Sequence, residues 1–122
     1  MRDISKGISL FNESDFFSAH DFFEDCWVNC SREERLFFQG MVQISVGCYH
    51  LINQNYKGCT SQFKKGTNKL KEFRSSHRNI NLEKLVKEIE SLIKIINMDS
   101  SQKDPNRFWN IIPKLEVNSQ IF

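Results

Sequence analysis

Apolar residues recur at intervals of three and four along most of this chain, the spacing that gathers them on one side of an α-helix. Five segments follow it. The first covers about Ile4–Asn12, with Ile4, Ile8 and Phe11 on one side. The second covers about Asp15–Asn29, where Asp15 or Ser14 stands ready to cap the first N–H groups. The third, about Arg32–Asn53, follows Ser31 and has Glu34 at capping-box spacing. The fourth, about Tyr56–Arg74, turns Cys59, Phe63, Leu70 and Phe73 inward. The fifth, about Leu82–Asn97, follows Asn81 as its cap and carries Leu82, Leu85, Ile89, Leu92, Ile93 and Ile96 as one stripe. No Val/Ile/Thr-rich alternation with hairpin chemistry argues for strands. Neither proline precedes Pro105, so nothing interrupts these helices.

The segments between and after the helices complete the expected architecture. Ser75–Ile80 reads as a surface linker. The tail, Ser100–Phe122, holds Pro105, Pro113 and the apolar group Phe108, Trp109, Ile111 and Ile112. Such a group is costly to leave in water, so it is expected to pack irregularly across the helices. Short connections make neighbouring helices antiparallel. The predicted fold is therefore all-α. Residues 1–99 form a compact five-helix bundle of antiparallel hairpins, and 100–122 an irregular tail packed on it. No self-similarity at 34 residues supports a solenoid.

Composition changes this picture little, but charge adds to it. With 122 residues, 39% hydrophobic and 26% charged, the chain is an ordinary single globular domain and not a disordered segment. It has no apolar run long enough for a membrane span and no signal-peptide pattern at its start. Its four cysteines read as reduced thiols, which points to the cytoplasm. The net charge of +2 conceals an asymmetry. Residues 1–56 hold four basic and eight acidic groups, whereas 57–78 hold seven basic and one acidic.

Polar residues on apolar faces supply the candidate chemistry. Phe17, His20, Glu24 and Trp27 share one side of the second helix, and Gln39, Gln43, Val46 and His50 share one side of the third. With the intervening turn centred near Ser31, Glu24 faces Gln39 and His20 faces Gln43. His50 then lies beyond, opposite Asn12 or Glu13. Buried together, these residues form a hydrogen-bonded ladder that holds two helices in register. The same His20 and Glu24, spaced i and i+4, are the candidates for a divalent metal or for acid–base work. Cys26 and Cys30 share that spacing, but with no C-x-x-C pattern the four thiols read as small hydrophobes. No phosphate-binding glycine loop, G-x-S-x-G or H-E-x-x-H occurs, so no nucleotide cofactor is implied. Lys57, Lys64, Lys71 and Arg78 recur every seven residues, with Lys65, Lys69 and Arg74 nearby. That basic face is a second alternative site, for nucleic acid.

Taken in order, GISLFNESDFFSAHDFFEDCW and ERLFFQGMVQISVGCYHLINQNYKG resemble the domain-of-unknown-function 309 family over about residues 7–75. The family shows a G-x-x-L-F-N lead, F-F-x-A-H-E-x-x-E-x-x-W, R-x-F-x-Q-G-x-x-Q and a Y-H before a turn. The tail's NIIPKLEV is similar to the family's proline-containing end. The resemblance implies that His20, Glu24, Trp27, Gln39, Gly40, Gln43, Tyr49 and His50 are its signature positions. It implies a small helical bundle found in bacteria, archaea and plastids, so the plastid stroma joins the cytoplasm as an expected location. It implies no activity. The chain departs from the pattern at Asp21, where Glu is usual, and at Cys59, where Ala is usual.

The favoured reading is an interaction or structural module with a buried His/Glu/Gln ladder, acting on a protein partner, with no catalytic residues, no membrane contact and no cofactor. A metal-binding or hydrolase-like site at His20 and Glu24 is the first alternative and weak nucleic-acid binding the second. Self-association stays open.

Overall fold

The computed structural model of the protein describes residues 2–73, 76–98 and 108–117. Five helices dominate it: α1 Ser5–Asn12, α2 Phe16–Val28, α3 Arg35–Ile52, α4 Tyr56–Leu70 and α5 Leu82–Met98. Each packs on its neighbour in sequence, and α3 lies between α2 and α4 as the central element. The expected all-α bundle is what forms. The fourth helix ends at Leu70, short of the expected Arg74, because the chain turns at 71–73; Arg74 itself, Pro105 and the Trp109 side chain lie outside the described residues.

Two of the connections use one device. Ser14, after α1, and Gln54, after α3, adopt positive φ of 65° and 64°. The amide that follows each reaches back to a helical carbonyl, Asp15 N–H to Leu10 and Asn55 N–H to His50. This closes the helix C-terminus in the Schellman manner. The same Asp15 and Asn55 then cap the next helix, accepting from Ser18 N at 3.3 Å and Gly58 N at 3.0 Å. One short segment thus ends a helix and begins another, which forces the reversal that the short spacings implied.

The α2–α3 connection differs. A 3-10 turn at Arg32–Glu34 precedes α3. The expected capping box at Ser31 and Glu34 does not form. Glu34 is drawn instead to His77, whose Nε2 lies 3.1 Å from one carboxylate oxygen, and to Arg78, whose Nε lies 3.3 Å from the other. A charged pair outcompetes a neutral backbone donor for the same carboxylate.

Glycines decide how α3 meets α4. A Cβ on Gly40 would come within 2.8 Å of Leu70 and 3.3 Å of the Gly66 carbonyl. One on Gly66 would meet Ile44 at 2.8 Å and the Gly40 carbonyl at 3.1 Å, and one on Gly47 would overlap the Phe63 ring. The two backbones are in contact because these positions have no side chain. Met41, Ile44, Cys48, Cys59, Phe63 and Leu70 fill the remaining space and are fully buried.

The 75–80 segment corrects the expectation of a surface linker. Ser76–His77 and Ile80–Asn81 pair as a minimal antiparallel hairpin, β1 and β2. Arg78 and Asn79 form its turn with φ of 52° and 64°, the backbone of a type I′ reversal. Ile80 is completely buried. The tail joins here: Ile80 bridges to Val117, and Asn81 N–H donates to the Glu116 carbonyl at 2.9 Å. Asn12 exchanges two hydrogen bonds with the Leu115 backbone, at 3.0 and 2.7 Å. Phe108 and Leu115 are buried, whereas Ile111 of the same apolar group is exposed. Asn81 also caps α5, accepting from Lys84 N at 3.1 Å.

Candidate functional site

The side of α2 that enters the core is Phe16, Ala19, Phe23 and Cys26. This stripe is offset by one residue, about 100° of rotation, from Phe17, His20, Glu24 and Trp27. Both stripes carry aromatic residues, and packing selects the former. The consequence is a correction: Glu24 is 52% exposed and His20 23%, so the polar residues are not a buried ladder. Phe17 itself is 54% exposed.

The pairing also differs. No hydrogen bond joins His20 to Gln43 or Glu24 to Gln39. The register that was expected would set Phe17 opposite Val46, but its ring meets Tyr49, 5.8 Å between centroids and three residues further along α3. Residues 29–34, with their 3-10 turn, separate the helices, so counting from a turn centred on Ser31 does not give the offset. Gln43 accepts from Lys69 Nζ at 2.9 Å, which ties α3 to α4 and not to α2. Gln39 and Trp27 are half-buried, and Trp27 packs against the core. His50 turns to Asn55, 3.4 Å from its Nδ1, not to Asn12, which is held by the tail.

What the structure brings together is smaller and nearer the surface. His20, Asp21 and Glu24 each offer one donor atom, all within 4.8 Å of one another. His20 Nδ1 is 3.2 Å from the Phe17 carbonyl, and its Nε2 is 4.0 Å from a Glu24 carboxylate oxygen. Asp21, at the position where the chain departs from the family pattern, was noted only for that departure. Its i+1 spacing from His20 and i−3 spacing from Glu24 were the available signal. The ring of Phe17 meets His20 edge-on at 5.6 Å. Tyr49, 39% exposed, completes an aromatic pair across the α2–α3 seam. Next to this cluster, a shallow hollow of about 730 Å³ is bordered by Asp21, Glu24, Asp25, Arg2 and Lys6. His20 is not among its walls.

The basic face breaks up. Arg78 is turned inward onto Glu34 and over the Phe38 ring at 5.3 Å. Lys71 pairs with Glu90 at 2.6 Å, and Lys69 is taken by Gln43. Lys57, Lys64 and Lys65 are left on the exposed side of α4. Among the described residues the expected continuous track from Lys57 to Arg78 is broken, because Lys71 and Arg78 pair with acids of the same molecule and Lys69 with Gln43.

The four thiols are free. Burial pushes Cys59 up to about 12 and Cys48 well above its usual range, with each other's proximity adding to Cys48. Burial also raises Cys26, against the opposing pull of Arg2. These are thiols kept protonated, and their behaviour as small hydrophobes follows. No helix of the described residues is long and apolar enough to cross a membrane.

No curated protein matches the chain. The sequence pattern of the family described as Domain of unknown function (DUF309) matches residues 4–61, which span α1 to the first turns of α4 and include every one of the candidate positions on α2 and α3. Over residues 4–61 this match supports the resemblance to the DUF309 family that the sequence motifs carry.

Proposed function

We propose that the domain is an interaction module whose working face is the α2–α3 seam, and that the seam takes a basic segment of a partner protein carrying an apolar side chain. The observation that carries this reading is the Phe17–Tyr49 pair, two large aromatic side chains tilted against each other across the seam and partly open to solvent. An exposed aromatic pair costs solubility unless it meets something, and aromatic residues with a polar tip or rim are enriched where proteins meet. Charge complementarity gives the partner its sign. Glu13, Asp15, Asp21 and Glu24 are all exposed on α2 or at its start, within a half of the chain that is predominantly acidic. Lysine or arginine would gain both from these carboxylates and from the aromatic faces.

The enzyme alternative calls for a cavity reaching both His20 and Glu24, and the hollow over α2 borders only the second. The nucleic-acid alternative needs the full basic track, of which Lys57, Lys64 and Lys65 remain. Both readings rank below docking for these reasons.

Amide NMR tests the proposal directly. A short peptide with alternating Lys and Leu should perturb Phe17, His20 and Tyr49, and a matched Glu/Leu peptide should not. Phe17→Ala and Tyr49→Ala should each weaken the effect at least tenfold. Perturbation by the acidic peptide, or perturbation centred on α4, overturns the reading.

A further inference from the structure

We infer that His20, Asp21 and Glu24 form a surface site for one divalent transition-metal ion of the zinc, cobalt or manganese class. On a helix these positions lie at about 0°, 100° and 40° around the axis, so Glu24 falls between the other two. Their donor atoms lie within 4.8 Å of one another. One imidazole and two carboxylates suit borderline cations, with water in the remaining coordination positions because both acids face solvent.

The imidazole distinguishes this trio from an ordinary group of surface acids. The Phe17 carbonyl, 3.2 Å from Nδ1, can only accept, so the bond places the ring proton on Nδ1. Nε2 then presents a lone pair to the Glu24 carboxylate at 4.0 Å. The two acceptors stand a little further apart than the ~3.4 Å between neighbouring ligands of a tetrahedral ion at ~2.1 Å, and small side-chain rotations bring both onto one cation. A ligating histidine whose second nitrogen donates to a backbone carbonyl is the usual arrangement around bound metals. Asp21 Oδ1 lies 3.9 Å from His20 Nδ1, and its exposed side chain reaches the ion by rotating toward Glu24. Of the two cations on the adjoining hollow, Arg2 is paired with Asp25 at 2.5 Å.

This inference does not depend on a docking partner, and it is tested on the isolated chain. Zinc titrated into the protein by calorimetry should bind with one-to-one stoichiometry, and cobalt should develop a visible ligand-field band. His20→Ala, Asp21→Asn and Glu24→Gln should each weaken zinc binding tenfold or more. Cys30→Ser should leave it unchanged, which separates the site from the accessible thiol. Because all three positions are partly or largely exposed, the variants should fold, and their helical dichroism checks that. If zinc fails to bind at neutral pH, or binds equally to wild type and all three variants, the inference is wrong.

Discussion

The two flanks of α3 are built on opposite plans. Against α4 the backbones touch, because Gly40, Gly47 and Gly66 remove side chains where the helices cross. Phe63 and two protonated thiols fill what is left. Against α2 the core side is just as apolar, but the seam opens outward into Phe17, Tyr49 and the His20–Asp21–Glu24 trio. The first flank is spent on stability, while the second keeps chemically capable groups accessible. The positions that the motif resemblance singles out fall on both, so they mix packing residues with exposed ones. Gly40 and Gln43 face α4, whereas His20, Glu24 and Tyr49 face the open side.

Truncating one phenylalanine on each flank sharpens this contrast most. Phe63→Ala should cost about 3–5 kcal/mol in chemical denaturation, since a fully buried ring leaves a cavity. Phe17→Ala should cost less than about 1 kcal/mol, because its ring is half in water already. Equal losses would show that the α2–α3 seam is as closed as the other.

The glycine contacts come next. Gly40→Ala and Gly66→Ala should each destabilise by about 1–3 kcal/mol through overpacking against Leu70 and Ile44. Helix propensity alone predicts the opposite sign, a gain of about 1 kcal/mol for alanine. A stabilised variant would mean that the helices separate freely at this crossing.

Alkaline titration probes the same flank. Cys59 has its thiol raised from an ordinary value of 9.0 to about 12. Below pH 9 the thiol is protonated in both states and stability is unaffected. Between about pH 9 and 12 the unfolded chain releases a proton that the folded chain keeps, so stability falls by about 1.4 kcal/mol per pH unit. Cys59→Ala should remove one proton from that slope, whatever its effect on stability at neutral pH. An unchanged slope would place the thiol in water.

The smallest effect is the most instructive for the open flank. His20→Ala should cost less than about 1 kcal/mol, because the ring makes only a local bond to the Phe17 carbonyl and leaves no buried partner unpaired. A loss of about 1–3 kcal/mol, the amount expected of a sealed ladder, would restore the structural reading of this residue.

Much of the fold was legible because helix formation is local. The apolar spacing gave all five helices, although the third begins three residues later and the fourth ends four residues earlier than expected, and Asp15 and Asn81 were recognisable as caps from their type and place. The candidate site was legible only as a set of residues. Phe16, Phe17, Phe22 and Phe23 lay apolar character on more than one side of α2, so periodicity could not say which side the core would take. The reversal after α2 hid the offset between helices, because a 3-10 turn does not count like a tight loop. Glu34 looked like half of a capping box until the His77 ring and the Arg78 guanidinium, 43 and 44 residues away, claimed it.

The sequence by itself determined which segments are helical, where they reverse, and which residues carry usable chemistry, since each depends on neighbours within a few positions. Only the tertiary structure decided that His20 and Glu24 face outward and gather Asp21, that Arg78 is withdrawn from the basic face, and that Ile80 is buried beneath a hairpin and the tail. These outcomes turn on the rotation of a helix by one residue and on which distant charge reaches a carboxylate first. Both are settled by packing between segments, which local spacing does not encode.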